Sequence, residues 1–188
     1  MTVPSLTALL DLLSGELRDA AATYTRRLSD MRGYYRDPEA EARLLADDPL
    51  IYTYGESFAP EVEGQLRFGS TIIQPGRVGD EYFMTRGHYH ARPEAGEVYL
   101  ALRGHGMLVL DRRDGRGEAL ELRPGTVAYT PPGCAHRAVN VGDEPFSFFS
   151  VWPANAGHDY ASIQRDGFSL RVVERNGRPT VIPARSAP

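Results

Sequence analysis

From residue 50 onward the sequence falls into short runs rich in β-branched and aromatic residues, each ended by Gly or Pro: 51–54, 66–73, 81–85, 97–103, 106–111, 119–122, 126–130, 135–139 and 146–152. No run in this region has the length and three-to-four-residue period of a helix, so a helical bundle and a Rossmann sheet are both excluded. Pro-Gly pairs at Pro75-Gly76, Pro124-Gly125 and Pro132-Gly133 supply tight reversals between runs. Many short strands at near-regular spacing predict an all-β barrel or jelly roll.

The first fifty residues read differently. Leu6, Leu9, Leu10, Leu13 and Leu17 recur at three- and four-residue steps, which predicts helix over 5–28, interrupted at Gly15. Asp37-Pro38-Glu39 reads as an N-cap, a first-turn Pro and an acidic first turn, opening a short helix that stops near Pro49. A chain of 188 residues with 41% hydrophobic content supports one sizeable core. The expected organisation is a helical N-terminal extension over 1–50 packed on a barrel domain over 51–188. The barrel carries a C-terminal appendage from Gly157 that ends in a polar tail.

Charge narrows the partners. With 25 acidic against 21 basic residues the formal charge is -4, so no global positive field draws nucleic acid or an anionic membrane. Every basic residue is Arg; without Lys there is no Schiff-base lysine and no P-loop lysine. The single Cys134 excludes an intramolecular disulfide, and no apolar run approaches the ~18 residues of a membrane span. A soluble protein of the reducing cytoplasm is the expectation.

Chemistry concentrates in one constellation. His88 and His90 stand two apart on an extended segment, so their imidazoles share a face with room for one ion between them. Glu97 follows seven residues later, where a turn can return its carboxylate to the pair, and His136 comes just after Pro131-Pro132-Gly133. Three imidazoles and a carboxylate suit Fe, Mn, Ni or Zn and leave coordination positions open for substrate oxygens. A bare H-x-H would be unspecific; the carboxylate, the Gly-rich hairpin and the third His make this one specific.

Gly87-His88-Tyr89-His90 with Glu97, and Pro124-Gly125 with His136 and Asn140, resemble the two-part signature of the cupin superfamily. The longer stretches 28–35, 82–90, 97–104, 135–146, 153–160 and 166–169 resemble the cupin-type phosphoglucose isomerases of archaea and some bacteria. The resemblance implies a cupin β-barrel and an aldose-ketose isomerase of glycolysis and gluconeogenesis, interconverting glucose 6-phosphate and fructose 6-phosphate. It further implies a homodimer with one divalent metal per subunit, Fe2+ before Mn2+, Ni2+ or Zn2+, held by His88, His90, Glu97 and His136.

By position, the same resemblance places Tyr52, Thr71, Thr85, Gly87, Tyr99 and Trp152, with His158 and Tyr160, around the sugar phosphate. Thr and Tyr hydroxyls and the Gly87 amide are phosphate donors that need no lysine. Trp152 stands where the archaeal members usually carry Tyr, which removes a hydroxyl and leaves an indole N–H. Glu97 is the candidate base for moving hydrogen between C1 and C2, with a hydride shift as the alternative; His158 and Tyr160 are candidates for ring opening. Two other readings use the same residues: an Fe(II) cupin oxygenase, and a non-catalytic sugar-phosphate-binding cupin. Among the remaining residues, Tyr34, Tyr35 and Tyr54 are expected in the core, Cys134 as a small buried residue, His105 in solvent, and 112–116 as a charged hairpin loop.

Overall fold

The computed structural model describes residues 5–184, so the polar tail expected over 185–188 lies outside the described residues. Strands β1 (Leu9–Leu10), β2 (Leu17–Arg18) and β3 (Ala22–Arg27) come first, then a 3-10 turn (Leu28–Met31) and helix α1 (Pro38–Leu44). The chain continues with β4 (Leu50–Glu56), β5 (Leu66–Ile73), β6 (Arg77–Val78), β7 (Glu81–Tyr82), β8 (Glu97–Arg103), β9 (Gly106–Arg112) and β10 (Gly117–Leu122). It closes with β11 (Val127–Thr130), β12 (Cys134–Asn140), β13 (Phe146–Pro153), α2 (Tyr160–Asp166), β14 (Leu170–Arg175) and β15 (Arg178–Pro183).

A six-stranded sheet runs β11-β8-β13-β5-β4-β3, a three-stranded sheet β10-β9-β12, and a four-stranded sheet β15-β14-β7-β6. Every pairing in them is antiparallel. Period-two alternation builds the core between the layers. On β13, Phe146 and Phe148 point inward into one buried cluster with Leu108 and Leu110 of β9 and Ala138 of β12, while Trp152, further along the same face, packs in a second cluster with Ala95 and Ala156. The all-β fold expected from the sequence is present as packed antiparallel sheets, and no described helix is long and apolar enough to cross a membrane.

The helix expected over 5–28 is absent, a correction with a clear cause. Leu6, Leu9, Leu12 and Leu13 are exposed, so the leucine periodicity has no apolar surface to face. The Asp11 carboxylate instead accepts from the backbone N–H groups of Leu13 and Ser14 (2.9 and 3.2 Å), and Gly15 turns through φ +81°. The Gly15 carbonyl accepts from the buried Ser70 hydroxyl, and a side chain at position 15 would collide with Ser147. This segment therefore lies over the six-stranded sheet, and β3 is that sheet's edge strand. Local hydrogen bonding outweighed helix propensity.

Helix α1 forms as expected: the Asp37 side chain accepts from the Ala40 N–H, and Pro38 stands in the first turn. The run at 81–85 pairs only over Glu81–Tyr82. Beyond it the segment crosses to β12, with the Thr85 N–H donating to the Ala138 carbonyl at 2.9 Å.

Candidate metal centre

His88 and His90 lie on the irregular segment between β7 and β8 rather than on a ladder strand. His88 makes a single antiparallel bridge to His136 on β12, with reciprocal N–H to carbonyl bonds of 3.2 and 3.0 Å. Tyr89 bridges Asp159 in the same way and turns its ring away from the pair of histidines, under the Arg113 guanidinium at 4.2 Å. Glu97 opens β8 opposite Thr130. Three separated segments thus deliver four side chains whose donor atoms all lie within 4.8 Å of one another.

The protonation pattern of this cluster fits a cation. His90 Nδ1 lies 3.0 Å from the Ala95 carbonyl and His136 Nδ1 lies 3.4 Å from the Cys134 carbonyl. A carbonyl can only accept, so each proton sits on Nδ1 and each Nε2 presents a lone pair inward. The Nε2 atoms of His88 and His136 approach to 3.2 Å, and Glu97 Oε2 stands 3.2 Å from His136 Nε2 and 3.3 Å from His90 Nε2. His90 Nε2 is fully buried with no hydrogen-bonding geometry to any partner. Converging lone pairs and a carboxylate, all shielded from water, are what a divalent ion resolves.

Charges follow from these neighbours. Burial pushes the Glu97 carboxyl up, but the His136 and His90 imidazoles beside it outweigh burial and hold the group well below the usual carboxylate range. Burial, reinforced by His136 and His158, drives His88 far below the ordinary imidazole value. Burial likewise lowers His158, with Glu97 opposing, so its ring is neutral near pH 7. Tyr160 is pushed up to about 12 by burial and stays a phenol, able to donate.

The cluster forms one wall of a cavity of about 330 Å3. Tyr52, Thr71, Thr85, Gly87, Tyr99, Trp152, His158 and Tyr160 all line it together with His88, Glu97 and His136. The His158 ring stands edge-on to His88 at 4.4 Å and stacks on Tyr160 at 5.5 Å. Tyr99 is buried beside Glu97, and burial together with the Glu97 charge pushes its phenol well above the ordinary value. Gly87 has φ +71°, and a Cβ there would sit 2.7 Å from the Phe168 ring and 2.9 Å from the His136 carbonyl, so only glycine fits.

The structure also brings in residues that the sequence reading left out. Tyr54, expected in the core, lines the cavity instead: its hydroxyl donates to Glu56 at 2.5 Å, and its ring packs between Tyr24 and Trp152. Tyr24, Arg26, Glu56, Arg67, Arg86 and Ser150 also line it, with Ala138 and Phe148 at the core side. Tyr24 and Arg26 were hidden by reading their segment as helix; alternation along a strand would have placed them beside Tyr54 and Tyr52, their partners in register. Tyr35 is in the core as expected, and Tyr34 packs half-buried against it. Cys134 is buried and free. His105 is half-buried, with Nε2 2.8 Å from the Glu121 carboxylate, rather than free in solvent.

A family model described as glucose-6-phosphate isomerase matches residues 25–183. The glucose-6-phosphate isomerase of Thermococcus gammatolerans is 45% identical over 173 residues, covering 92% of this chain and 91% of that protein. The enzyme of the same name from Pyrococcus horikoshii is 45% identical over 174 residues, covering 92% of each. Among solved structures, an oxalate decarboxylase of Bacillus subtilis overlays 57% of this chain and 26% of its own, with 21% identity and a TM-score of 0.44. Matched along nearly its whole length by sequence, the chain belongs to the glucose-6-phosphate isomerase family.

Proposed function

We propose that this chain interconverts glucose 6-phosphate and fructose 6-phosphate at the cavity described above, with a divalent metal held by His88, His90, Glu97 and His136. The carrying observation is the convergence of three inward-facing imidazole nitrogens and one carboxylate at a cavity whose facing wall offers neutral phosphate donors. Once bound, such an ion would supply Lewis-acid polarisation of the sugar oxygens at C1 and C2. Fe2+ is the first candidate, with Mn2+, Ni2+ and Zn2+ chemically admissible.

The remaining chemistry falls to the protein. Glu97, ionised and buried, is the group positioned to take the proton from C2; the C–H electron pair forms the C1–C2 double bond as O1 takes up a proton. Return of the proton to C1 with loss of the O2 proton gives the ketose. Tyr99, a buried phenol beside Glu97, stays protonated and packs the wall next to the carboxylate. Neutral His158 can accept the O1 proton during ring opening, and Tyr160 can donate to the ring oxygen.

For the phosphate, the Gly87 N–H has no hydrogen-bond partner among the described residues and borders the cavity. The Thr85 hydroxyl accepts from the Ala138 N–H at 3.1 Å, which leaves its own proton to donate. Tyr52 and Thr71 also line the cavity, Thr71 opposite Tyr54 in the β4–β5 register, and Trp152 offers an apolar face to the sugar. An oxygenase reading finds no support in these donors, and a sensor without chemistry has no use for the buried ligand set.

A homodimer is the assembly this reading favours. Strand β3 is an open sheet edge, and Val98, Val127 and Tyr129 are exposed neighbours on the outer face of β8 and β11. The test of the whole reading is a coupled assay of metal-reconstituted protein with fructose 6-phosphate. Failure to form glucose 6-phosphate with any of the four ions would overturn it.

A further inference from the structure

The cavity holds three guanidinium groups, and they differ in their partners. Arg67 is satisfied: it donates twice to the Ala59 carbonyl and pairs with Glu61 at 3.4 Å. Arg26 and Arg86 are not. Arg26 donates only to the Thr25 carbonyl at 3.0 Å and lies over the Tyr24 ring; Arg86 donates twice to the Asp30 carbonyl, as Arg67 does to Ala59, and lies over the Tyr34 ring, but no carboxylate neutralises it. Among the described residues neither has a carboxylate partner, in a chain that otherwise pairs many of its arginines.

The two come from different parts of the chain and meet at one end of the cavity. Arg26 is opposite Tyr52 in the β3–β4 register, and Arg86 stands between Thr85 and Gly87. Burial raises the phenol pKa of both Tyr52 and Tyr160, and Arg26 and Arg86 together oppose it in both cases, which places the two cations near the same pair of hydroxyls. The opposite end of β4 is acidic. Glu56 lies four residues along the strand from Tyr52, roughly 13 Å away at an extended rise, opposite Ala22 in register. The cavity is therefore polarised, positive beside Tyr52, Thr85 and Gly87 and negative at Glu56.

We propose that Arg26 and Arg86 form a cationic clamp for the phosphate dianion of the sugar and set the direction in which the sugar enters the cavity. This rests on the sugar-phosphate reading above and goes beyond it, since that reading uses only hydroxyl and amide donors. Uncompensated guanidinium groups at a half-enclosed mouth give charge-assisted hydrogen bonds that Thr and Tyr hydroxyls cannot match. Their charge also attracts a dianion before contact is made.

The test uses the metal-loaded enzyme, with metal content and circular dichroism confirming an intact fold in each variant. Arg26→Ala and Arg86→Ala should each raise KM for fructose 6-phosphate by about tenfold or more while kcat stays within about threefold. The inhibition constant for inorganic phosphate should rise in parallel, and Arg26→Lys should recover part of the loss. Arg123→Ala, which removes the same charge from the far surface, should change neither value. Unchanged KM and phosphate inhibition in both folded variants would overturn the clamp, as would a loss confined to kcat. If wild-type enzyme neither turns over the sugar phosphate nor binds inorganic phosphate, the underlying reading fails as well; normal wild-type activity with indifferent variants defeats the clamp alone.

Discussion

His88 and His136 are joined twice: their backbones exchange two hydrogen bonds, and their Nε2 atoms stand 3.2 Å apart. The backbone bridge fixes the separation of two imidazoles that are 48 residues apart in sequence. Because that bridge needs no side chain, the His/Glu cluster can be dismantled without dismantling the barrel.

Removal of the metal by chelation should abolish turnover, and restoring Fe2+, Mn2+, Ni2+ or Zn2+ should recover it to different extents. An ion present at a hundred times its Kd should raise Tm by roughly 5–10 °C. His136→Ala should lose bound metal while keeping a cooperative unfolding transition and its far-ultraviolet spectrum. Full activity in protein shown by elemental analysis to be metal-free would defeat the assignment.

Glu97→Gln separates the base from the ligand. The amide oxygen can still contact a metal, but it cannot take a proton, so kcat should fall by about 10²-fold or more with metal content retained. A metal-replete variant with near-normal kcat would move the reaction to a hydride shift between C1 and C2, leaving Glu97 a replaceable ligand.

Gly87→Ala tests the tight approach of backbone to cavity. The new methyl meets the Phe168 ring and the His136 carbonyl at under 3 Å, and φ is +71°. The strain should cost about 1–3 kcal/mol in denaturant unfolding and raise KM by displacing the amide. Wild-type stability and KM in this variant would contradict the packing described.

The strands and the clustering of His88, His90, Glu97 and His136 were legible because both rest on short-range signals. Leu66–Ile73 and Glu97–Arg103 are bounded by turn residues, and His88, His90 and His136 sit in motifs whose spacing carries the chemistry. What misled was equally local. The leucines between 6 and 17 carry a helical period, and only the Asp11 and Gly15 contacts, formed within the fold, show that the segment covers a sheet. That error hid Tyr24 and Arg26, because the inward face of β3 has meaning only once β3 is paired with β4. Tyr54 was misplaced for a related reason: an aromatic on a strand is legible as buried, while the neighbour that decides between core and cavity, Glu56, declares itself only through side-chain contact.

The assembly prediction follows from apolar surface. Val127 and Tyr129 are both exposed on β11, with Tyr129 directly opposite exposed Val98 on β8. A Val127→Arg, Tyr129→Arg double variant should sediment as a monomer where the wild type sediments as a dimer. A monomeric wild type at micromolar concentration would contradict the homodimer, and a dimeric double variant would move the interface to the β3 edge.

The last prediction concerns how the acidic end of the cavity is kept from the substrate. Glu56 faces the cavity, yet the Tyr54 hydroxyl at 2.5 Å and the Tyr24 hydroxyl at 3.3 Å hold its carboxylate, and the Tyr54 ring is itself held by stacking on Tyr24 and Trp152. Tyr54→Phe keeps the ring and its stacking but releases the carboxylate. Once released, the carboxylate can turn toward the substrate; one charge roughly 13 Å from a phosphate dianion, at an effective dielectric constant of roughly 40, is worth about 1 kcal/mol, so KM should rise by at most about fivefold to tenfold. Glu56→Gln in the Tyr54→Phe background removes the charge and should return KM to within about twofold of wild type, with kcat little changed throughout. The decisive measurement is this double-mutant cycle. If Tyr54→Phe raises KM and Glu56→Gln fails to reverse it, Tyr54 contacts the sugar itself, and its bond to Glu56 serves only to orient the phenol.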